Sequence, residues 1–426
     1  MTRLLNDKWF PWAVGVLAAA YLIQIVTPLR LDHDSVLYFR IAMSFADHTP
    51  RPDIGLPNGF PLLIVFLERL GFAVKTALVL LGVLSIFAGL LGAWAAMDKV
   101  DVRVRRIAIV MTLLCFSVIR AAVVPEPDAI YFGLSLLAVG AMQRATDPAA
   151  RQRYVLLVIA VALTTLAGTL RSAGVAMIPA LLCSVWMTVT LEAGRDLRRR
   201  IQFAMALMLG VALLAGVSFG VVNGSLGSYA GSALQGYSAG TGLSHVWKRF
   251  GGTVNRFGEL SLNVPALKYP IIRPLERYPG PAVAILLLIY ARTLRRIDPL
   301  VVYVACYMGM LIVWPFDAIR LWIPILPFLI AVVAKALLDL DRFRVVAVMS
   351  RLWLAWMIVI GLGAIAYTTR ISFSGKNFPL RYGLRGGLAS PGEEARNPLH
   401  DLSALRIIAR YDADQAELRR ALPVDR

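Results

Sequence analysis

Thr27-Pro28-Leu29-Arg30-Leu31-Asp32-His33-Asp34-Ser35-Val36-Leu37-Tyr38 is the stretch that decides how the chain is read. An apolar run from Trp9 to Pro28 precedes it, and Thr27-Pro28-Leu29-Arg30 brings that run to an end. Two carboxylates, Asp32 and Asp34, then stand where the chain leaves the apolar phase. An amphipathic segment from Ser35 to Phe45 and a Pro/Gly corner follow. Two acids beside a helix exit, in such surroundings, read as a built site facing water rather than as membrane anchors.

The rest of the chain fits a membrane setting. Of its 426 residues, 58% are hydrophobic and only 16% charged, with a mean hydropathy of +0.68. Soluble domains carry about 45–50% apolar and about 25% charged residues. The formal charge of +18 would suggest nucleic acid in a soluble protein. Here the positives lie in short clusters between apolar runs, the pattern of topology signals and lipid-headgroup contacts. Nucleic acid is therefore not an expected partner, and membrane lipids are. Cys115, Cys183 and Cys306 all fall inside apolar runs, without metal-ligand spacing, and read as small buried hydrophobes. The basic N-terminus followed by a long apolar run, with no convincing cleavage site, reads as an uncleaved first helix.

A spanning helix needs about 20 apolar residues, and about eleven candidate segments are found. They run over Trp9–Pro28, Val74–Met97, Ile107–Val124, Ala129–Met142, Tyr154–Thr169, Gly174–Leu191, Phe203–Val222, Pro281–Ala291, Leu300–Trp314, Leu321–Leu338 and Val346–Tyr367. The pair between Tyr154 and Leu191 reads either as two spans or as one broken hairpin. Every second connection is short and basic, as at Lys99/Arg103/Arg105/Arg106 and Arg195/Arg198/Arg199/Arg200. The positive-inside rule puts those connections in the cytoplasm. The opposite, outer side then receives a first loop (29–60), the link Pro125-Glu126-Pro127-Asp128, a turn at Leu170-Arg171-Ser172, a long loop (223–279), the link before Arg320 and a tail. The expected architecture is an all-α polytopic bundle over residues 1–367 with a small extracytoplasmic tail over 368–426. In that tail Leu402 to Leu422 reads as one or two amphipathic helices. The inner connections are too short for a catalytic domain, so any chemistry belongs to the outer face or the membrane.

Asp34 admits two readings. As the N-cap of the amphipathic segment its carboxylate would meet free backbone N–H groups. As a general base at a partly desolvated interface it would take a proton from a hydroxyl. Asp32 is the solvated neighbour or backup. His33 between them invites a metal, but successive residues of a loop do not aim at one ion, and no metal is expected. Pro57-Asn58-Gly59-Phe60-Pro61 is a rigid corner leading back into the membrane. Glu126 and Asp128 either cap the next helix or bind hydroxyl groups of a sugar. Arg171 and Arg320 each stand alone at the outer end of an apolar segment, and Arg120 near the end of the third run shares the ambiguity. Such residues either snorkel to the headgroups or hold phosphate in a bidentate fork. Lys248 and Arg249, in the aromatic and basic part of the long outer loop, would meet a lipid phosphate or merely the membrane surface.

Taken in order, these pieces resemble the membrane-embedded GT-C glycosyltransferases that use polyprenyl-phosphate sugars, particularly bacterial mannosyltransferase-like and aminoarabinose-transferase-like proteins. The resemblance rests on Asp34, Tyr38 and Ile41-Ala42 in the first loop. It continues through Pro57, Gly59, Phe60, Pro61, Leu62 and Leu63 at the corner, Glu126 at a later junction and Arg171 to Gly174 entering a helix. It ends with Arg320-Leu321-Trp322-Ile323-Pro324-Ile325-Leu326-Pro327, and covers roughly the first 340 residues, a transporter-sized helical core. Ser35 stands where a second acid is often found, and the C-terminal part is small for the family.

The resemblance implies a GT-C-like bundle in the bacterial cytoplasmic (inner) membrane with its site facing the periplasm or exterior. It implies transfer of a sugar from a polyprenyl-phosphate donor to an acceptor hydroxyl, with inversion and without a cofactor. Asp34 would be the general base. Asp32, Tyr38, Glu126 and Asp128 would contact acceptor or sugar, and Arg171, Arg320, Lys248 and Arg249 would hold the donor phosphate. The acceptor, whether glycan, lipid or protein, stays open. Two other classes fit many helices with lone charges. One is a secondary transporter or flippase for an envelope precursor, although its ionisable groups would sit near the midplane of two related halves. The other is a non-catalytic assembly protein, indifferent to Asp34.

Overall fold

The computed structural model describes residues 9–26, 29–52, 54–191, 242–264, 274–291, 297–313, 318–374 and 398–412. Among these residues all regular structure is helical. Six segments are long and apolar enough to cross a membrane: Trp9–Val26, Val74–Ala96, Arg153–Leu170, Ser172–Val189, Ile319–Asp339 and Arg344–Arg370. Large apolar side chains such as Trp12, Leu91, Trp186 and Val359 face outward from them. In water such a surface would be costly; in lipid it is the ordinary exterior. The chain is an integral, multi-pass membrane protein. The expected span Phe203–Val222 lies outside the described residues. The segments at Pro279–Tyr290 and Pro299–Ile312 are apolar but shorter.

In chain order the helices are α1 (Trp9–Leu22), α2 (His33–Ala46), α3 (Gly59–Arg69), α4 (Val74–Ala96), α5 (Val102–Leu113), α6 (Phe116–Val123), α7 (Asp128–Ala145), α8 (Arg153–Leu170) and α9 (Ile178–Leu191). They continue with α10 (Gly242–Leu262), α11 (Pro279–Ala291), α12 (Pro299–Val313), α13 (Leu326–Asp339), α14 (Arg344–Ser374) and α15 (Pro398–Tyr411). Between Tyr154 and Leu191 two helical segments, Arg153–Leu170 and Ser172–Val189, are each long and apolar enough to cross a membrane, and they adjoin at Arg171.

The centre of the bundle is the seam between α4 and α7. A Cβ added at Gly92 would lie 2.3 Å from the Leu136 carbonyl oxygen, and one at Gly140 2.6 Å from that of Gly92. The backbones touch because no side chain separates them. Where the surroundings are as apolar as the side chains, such packing is what holds helices together. The seam fixes the N-terminus of α7, and with it Asp128.

The third expected span, Ile107–Val124, is not one straight helix. It breaks between α5 and α6 with a bend of 54°. The break frees backbone groups that hydrocarbon cannot satisfy. Asn263, just past α10, answers two of them: its Nδ2 donates to Leu114 O (2.9 Å) and its Oδ1 accepts from Phe116 N (2.8 Å). Tyr21 donates to Leu113 O at 2.8 Å. Asn263 adopts a left-handed φ of 56° to reach its partners, a conformation asparagine tolerates better than most residues.

Three further expectations change. Residues 242–262 of the long outer loop form a helix, because Thr253, Phe257 and Leu260 make a buried stripe at helical spacing. The tail helix begins at Pro398, ahead of the expected Leu402, and runs to Tyr411, while residues 413–422 of the expected stretch lie outside the described residues. Finally, α2 starts at His33, so Asp34 sits inside the first turn and is not the residue before the helix; Val36 N donates to Asp32 O at 3.0 Å.

Candidate active site

Chain breaks and helix ends bring the charged groups together on one face. Asp32 and Asp34 come from the start of α2. Arg120 comes from the last turn of α6, and Glu126 and Asp128 from the link into α7. Arg171 stands in extended conformation (φ −144°, ψ 135°) between α8 and a short 3-10 turn, Ser172–Met177. Arg320 is the second residue of another 3-10 turn, Ile319–Ile325, leading into α13.

The proline on each side of Glu126 limits how that link can move. It turns tightly, with Glu126 N donating to Val124 O at 2.8 Å and Tyr131 N to Pro127 O at 2.8 Å. The corner before α3 is also tight. A Cβ on Gly59 would stand 2.4 Å from the Thr169 carbonyl oxygen, so only glycine lets this corner approach the end of α8. Arg51 braces the corner from the loop side, its Nε donating to Asn58 Oδ1 at 3.0 Å.

Arg320 is the hub. It pairs with Asp34 through Nη2, its Nη1 lies 2.8 Å from Glu126 Oε1, and its Nε is 3.9 Å from Asp128 Oδ2. A cation at a helix start opposes the helix dipole, so the carboxylates, not the helix, hold it there. Arg171 pairs with Asp128, and Arg120 with Asp32. The site thus sets three guanidinium groups against four carboxylates.

The acids differ in reach. Glu126 and Asp128 have side chains 4% exposed, whereas Asp34 keeps 28% and Asp32 22%. Burial raises the proton affinity of Glu126, but the charges of Arg320, Arg120 and Arg171 outweigh it and hold the carboxyl below its ordinary range. Glu126 is therefore a fixed negative charge at neutral pH. Asp34 is the acid that pairs with the hub and also meets the outside.

The other expected contacts are Tyr38, Lys248 and Arg249. Tyr38 is buried, its ring edge-on to Phe60 at 5.3 Å, in a cluster with Val36, Phe39 and Ile64. Lys248 and Arg249 lie on α10, and their side chains fall outside the described residues. The position of Asp34 corrects the N-cap reading: its carboxylate turns to Arg320. Arg120 is a member that the sequence left undecided between snorkelling and phosphate; its signal was a charge near the end of the third apolar run, five residues before Pro125. Among the described residues no group of three or more His, Cys, Asp or Glu is arranged to hold a metal ion.

No family model matches the sequence, and no curated protein matches it. Solved structures do. ArnT from Cupriavidus metallidurans in the apo state is similar with a TM-score of 0.50 at 17% identity, over 97% of this chain and 72% of that one. ArnT bound to undecaprenyl phosphate gives 0.48 at 16%, over 97% and 73%. The archaeal oligosaccharyltransferase AglB from Archaeoglobus fulgidus, in complex with an inhibitory peptide and a dolichol-phosphate, gives 0.45 at 14%, over 92% and 60%. This chain spans 60% of the length of that oligosaccharyltransferase. At such identities the similarity is one of fold, and the fold is one this chain shares with ArnT in the apo state.

Proposed function

We propose that this GT-C chain is a membrane glycosyltransferase that moves a sugar from a polyprenyl-phosphate donor to an acceptor hydroxyl, with inversion, at the periplasmic or exterior face of a bacterial cytoplasmic membrane. The observation that carries the reading is the convergence of Asp34, Glu126 and Asp128 on Arg320, with Arg171 joined to the group through Asp128. A half-buried carboxylate and fixed guanidinium groups thus share one site at helix ends. ArnT, whose apo fold this chain shares, has also been seen with undecaprenyl phosphate bound, the class of lipid proposed here as donor carrier.

The donor's lipid tail stays in the bilayer and its phosphate reaches Arg320 and Arg171. Asp34 pairs with Arg320. A phosphate is a competing anion that takes the fork bidentately, so donor binding releases Asp34 to act. The freed carboxylate accepts the acceptor's proton while its oxygen attacks the anomeric carbon. The bond from that carbon to the phosphate oxygen breaks on the opposite face, and the electron pair leaves with the phosphate. Charge grows on the leaving group as this happens. Preorganised guanidinium groups favour that state over the ground state. Glu126 and Asp128 keep Arg320 and Arg171 aimed, and Asp32 with Arg120 borders the acceptor side. A transporter's ionisable groups would gather near the midplane; here they gather at helix ends.

The decisive experiment is Asp34→Asn in purified protein, with sugar transfer from a polyprenyl-phosphate donor and binding of undecaprenyl phosphate measured side by side. Loss of transfer with binding kept supports the reading. Transfer at the wild-type rate ends it.

A further inference from the structure

The tail contributes something the site itself does not explain. Its helix α15 packs on the first loop and buries Ile407 and Ile408 completely, to 0% and 1% exposure, against Val36, Phe39 and Ile64. Tyr411 meets the Phe39 ring at 5.0 Å and donates to Glu68 Oε2 at 3.1 Å. Arg410 reaches Asp47 at 2.8 Å and Glu68 at 2.8 Å, so one helix binds the far ends of α2 and α3.

Asp412, the residue after this helix, is buried. Its Oδ2 accepts from the backbone N–H of Leu29 at 2.7 Å, and its Oδ1 lies 2.9 Å from Lys75 Nζ at the start of α4. Leu29 opens the short segment that carries both acids. The next residue, Arg30, donates to Thr368 O at the end of α14, at 3.0 Å. Asp32 and Asp34 follow, tied to Arg120 and Arg320. The segment is therefore gripped at its origin by the C-terminal part of the chain and at its working end by the site arginines. A buried carboxylate bonded to a backbone N–H and a lysine is a strong tie, because breaking it strands charge away from water.

We propose that Asp412 is a positioning residue, and α15 a clasp that fixes the register of residues 29–34 and so the approach of Asp34 to Arg320. The general-base role of Asp34 is needed only for the kinetic part of this claim. The stretch from Leu29 to Ala46 leaves a span, crosses the site and ends in a loop; besides the clasp, its polar ties include the bond of Arg30 to Thr368 O and the site's own ion pairs. Those are the pairs a donor phosphate must open. The clasp lets them open without the loop drifting.

The test uses the full chain in detergent or nanodiscs and two readouts. In Asp412→Ala, amide hydrogen exchange over residues 29–46 rises by about tenfold or more, while α4 and α7 keep their protection. Turnover with a polyprenyl-phosphate sugar falls by about tenfold, with undecaprenyl phosphate affinity nearly unchanged, a loss in kcat and not in KM. Asp412→Asn, which keeps an oxygen for the Leu29 N–H, restores most of the protection. Lys75→Met, a second route to the same tie, shows the same pattern more weakly. The proposal is overturned if exchange over 29–46 does not change, if it rises evenly through the spans, or if Asp412→Asn is as loose as Asp412→Ala. If exchange responds as stated but the wild type transfers no sugar, the clasp stands and the glycosyltransferase reading falls.

Discussion

Two carboxylates hold the same arginine through its two terminal nitrogens, and they are built differently. Glu126 sits in a proline-flanked link, 4% exposed, with three guanidinium groups acting on it. Asp34 sits in the first turn of an amphipathic helix, 28% exposed, and pairs with Arg320 alone among the ion pairs of the site. The buried acid cannot leave without stranding a cation. The exposed one can exchange its place for a phosphate and water. The difference separates the part of the site that aims from the part that reacts, and each substitution below is a way to break that separation.

The largest effect belongs to Asp34→Asn. Turnover should fall by about 10²–10⁴, the usual contribution of a general base, with melting temperature and undecaprenyl phosphate binding little changed. Arg320→Ala comes next. It removes the shared partner, so binding of undecaprenyl phosphate should weaken by about 10²-fold, as expected for a charge-assisted bond, and the melting temperature should fall as well because Glu126 is left buried and unpaired. Glu126→Gln should act mainly on stability, by about 1–3 kcal/mol, seen as a lower thermal midpoint with donor affinity reduced only modestly. Its acid limb should also change. A carboxyl whose folded value is depressed stabilises the protein above its unfolded value of about 4.3 and loses that contribution as pH falls through the lower folded value. The wild type should therefore lose stability more steeply below that range than Glu126→Gln does, which a melting series against pH would read. Tyr38→Phe should be the smallest, leaving turnover within about twofold, since its ring packs on Phe60 and the change spares that packing. A large loss there would return Tyr38 to the site. Exchanged phenotypes for positions 34 and 126 would dissolve the division altogether.

The sequence carried much of this. Apolar runs of spanning length are visible because lipid demands them. An acid or a lone arginine at the edge of such a run stands out because the surroundings contain so little charge. Asp34, Glu126, Asp128, Arg171 and Arg320 were all legible on that ground, and the structure brings them together. What remained hidden depends on contacts across the chain. The break at Leu114–Cys115 contains neither proline nor glycine, and its compensation comes from Asn263, 149 residues away from Leu114. The helix over Gly242–Leu262 was masked by its glycines and mixed aromatic and basic composition, although its buried stripe keeps helical spacing. Tyr38 looked polar at the right distance from Asp34, and only the packing of α3 shows which way its ring goes. The partner of Asp412 is a backbone N–H, which has no sequence signature at all.

The bridging amide at the bent helix has a consequence for anyone transplanting parts of this protein. A chimera that swaps the region after α9 for a homologous stretch inherits the bend in the recipient but not automatically the group that seals it. If the graft supplies a leucine at position 263, a carbonyl and an N–H are left bare in hydrocarbon, and the recipient either straightens or fails to insert. Loop and bend must therefore travel as one cassette, Leu114 to Phe116 together with Asn263.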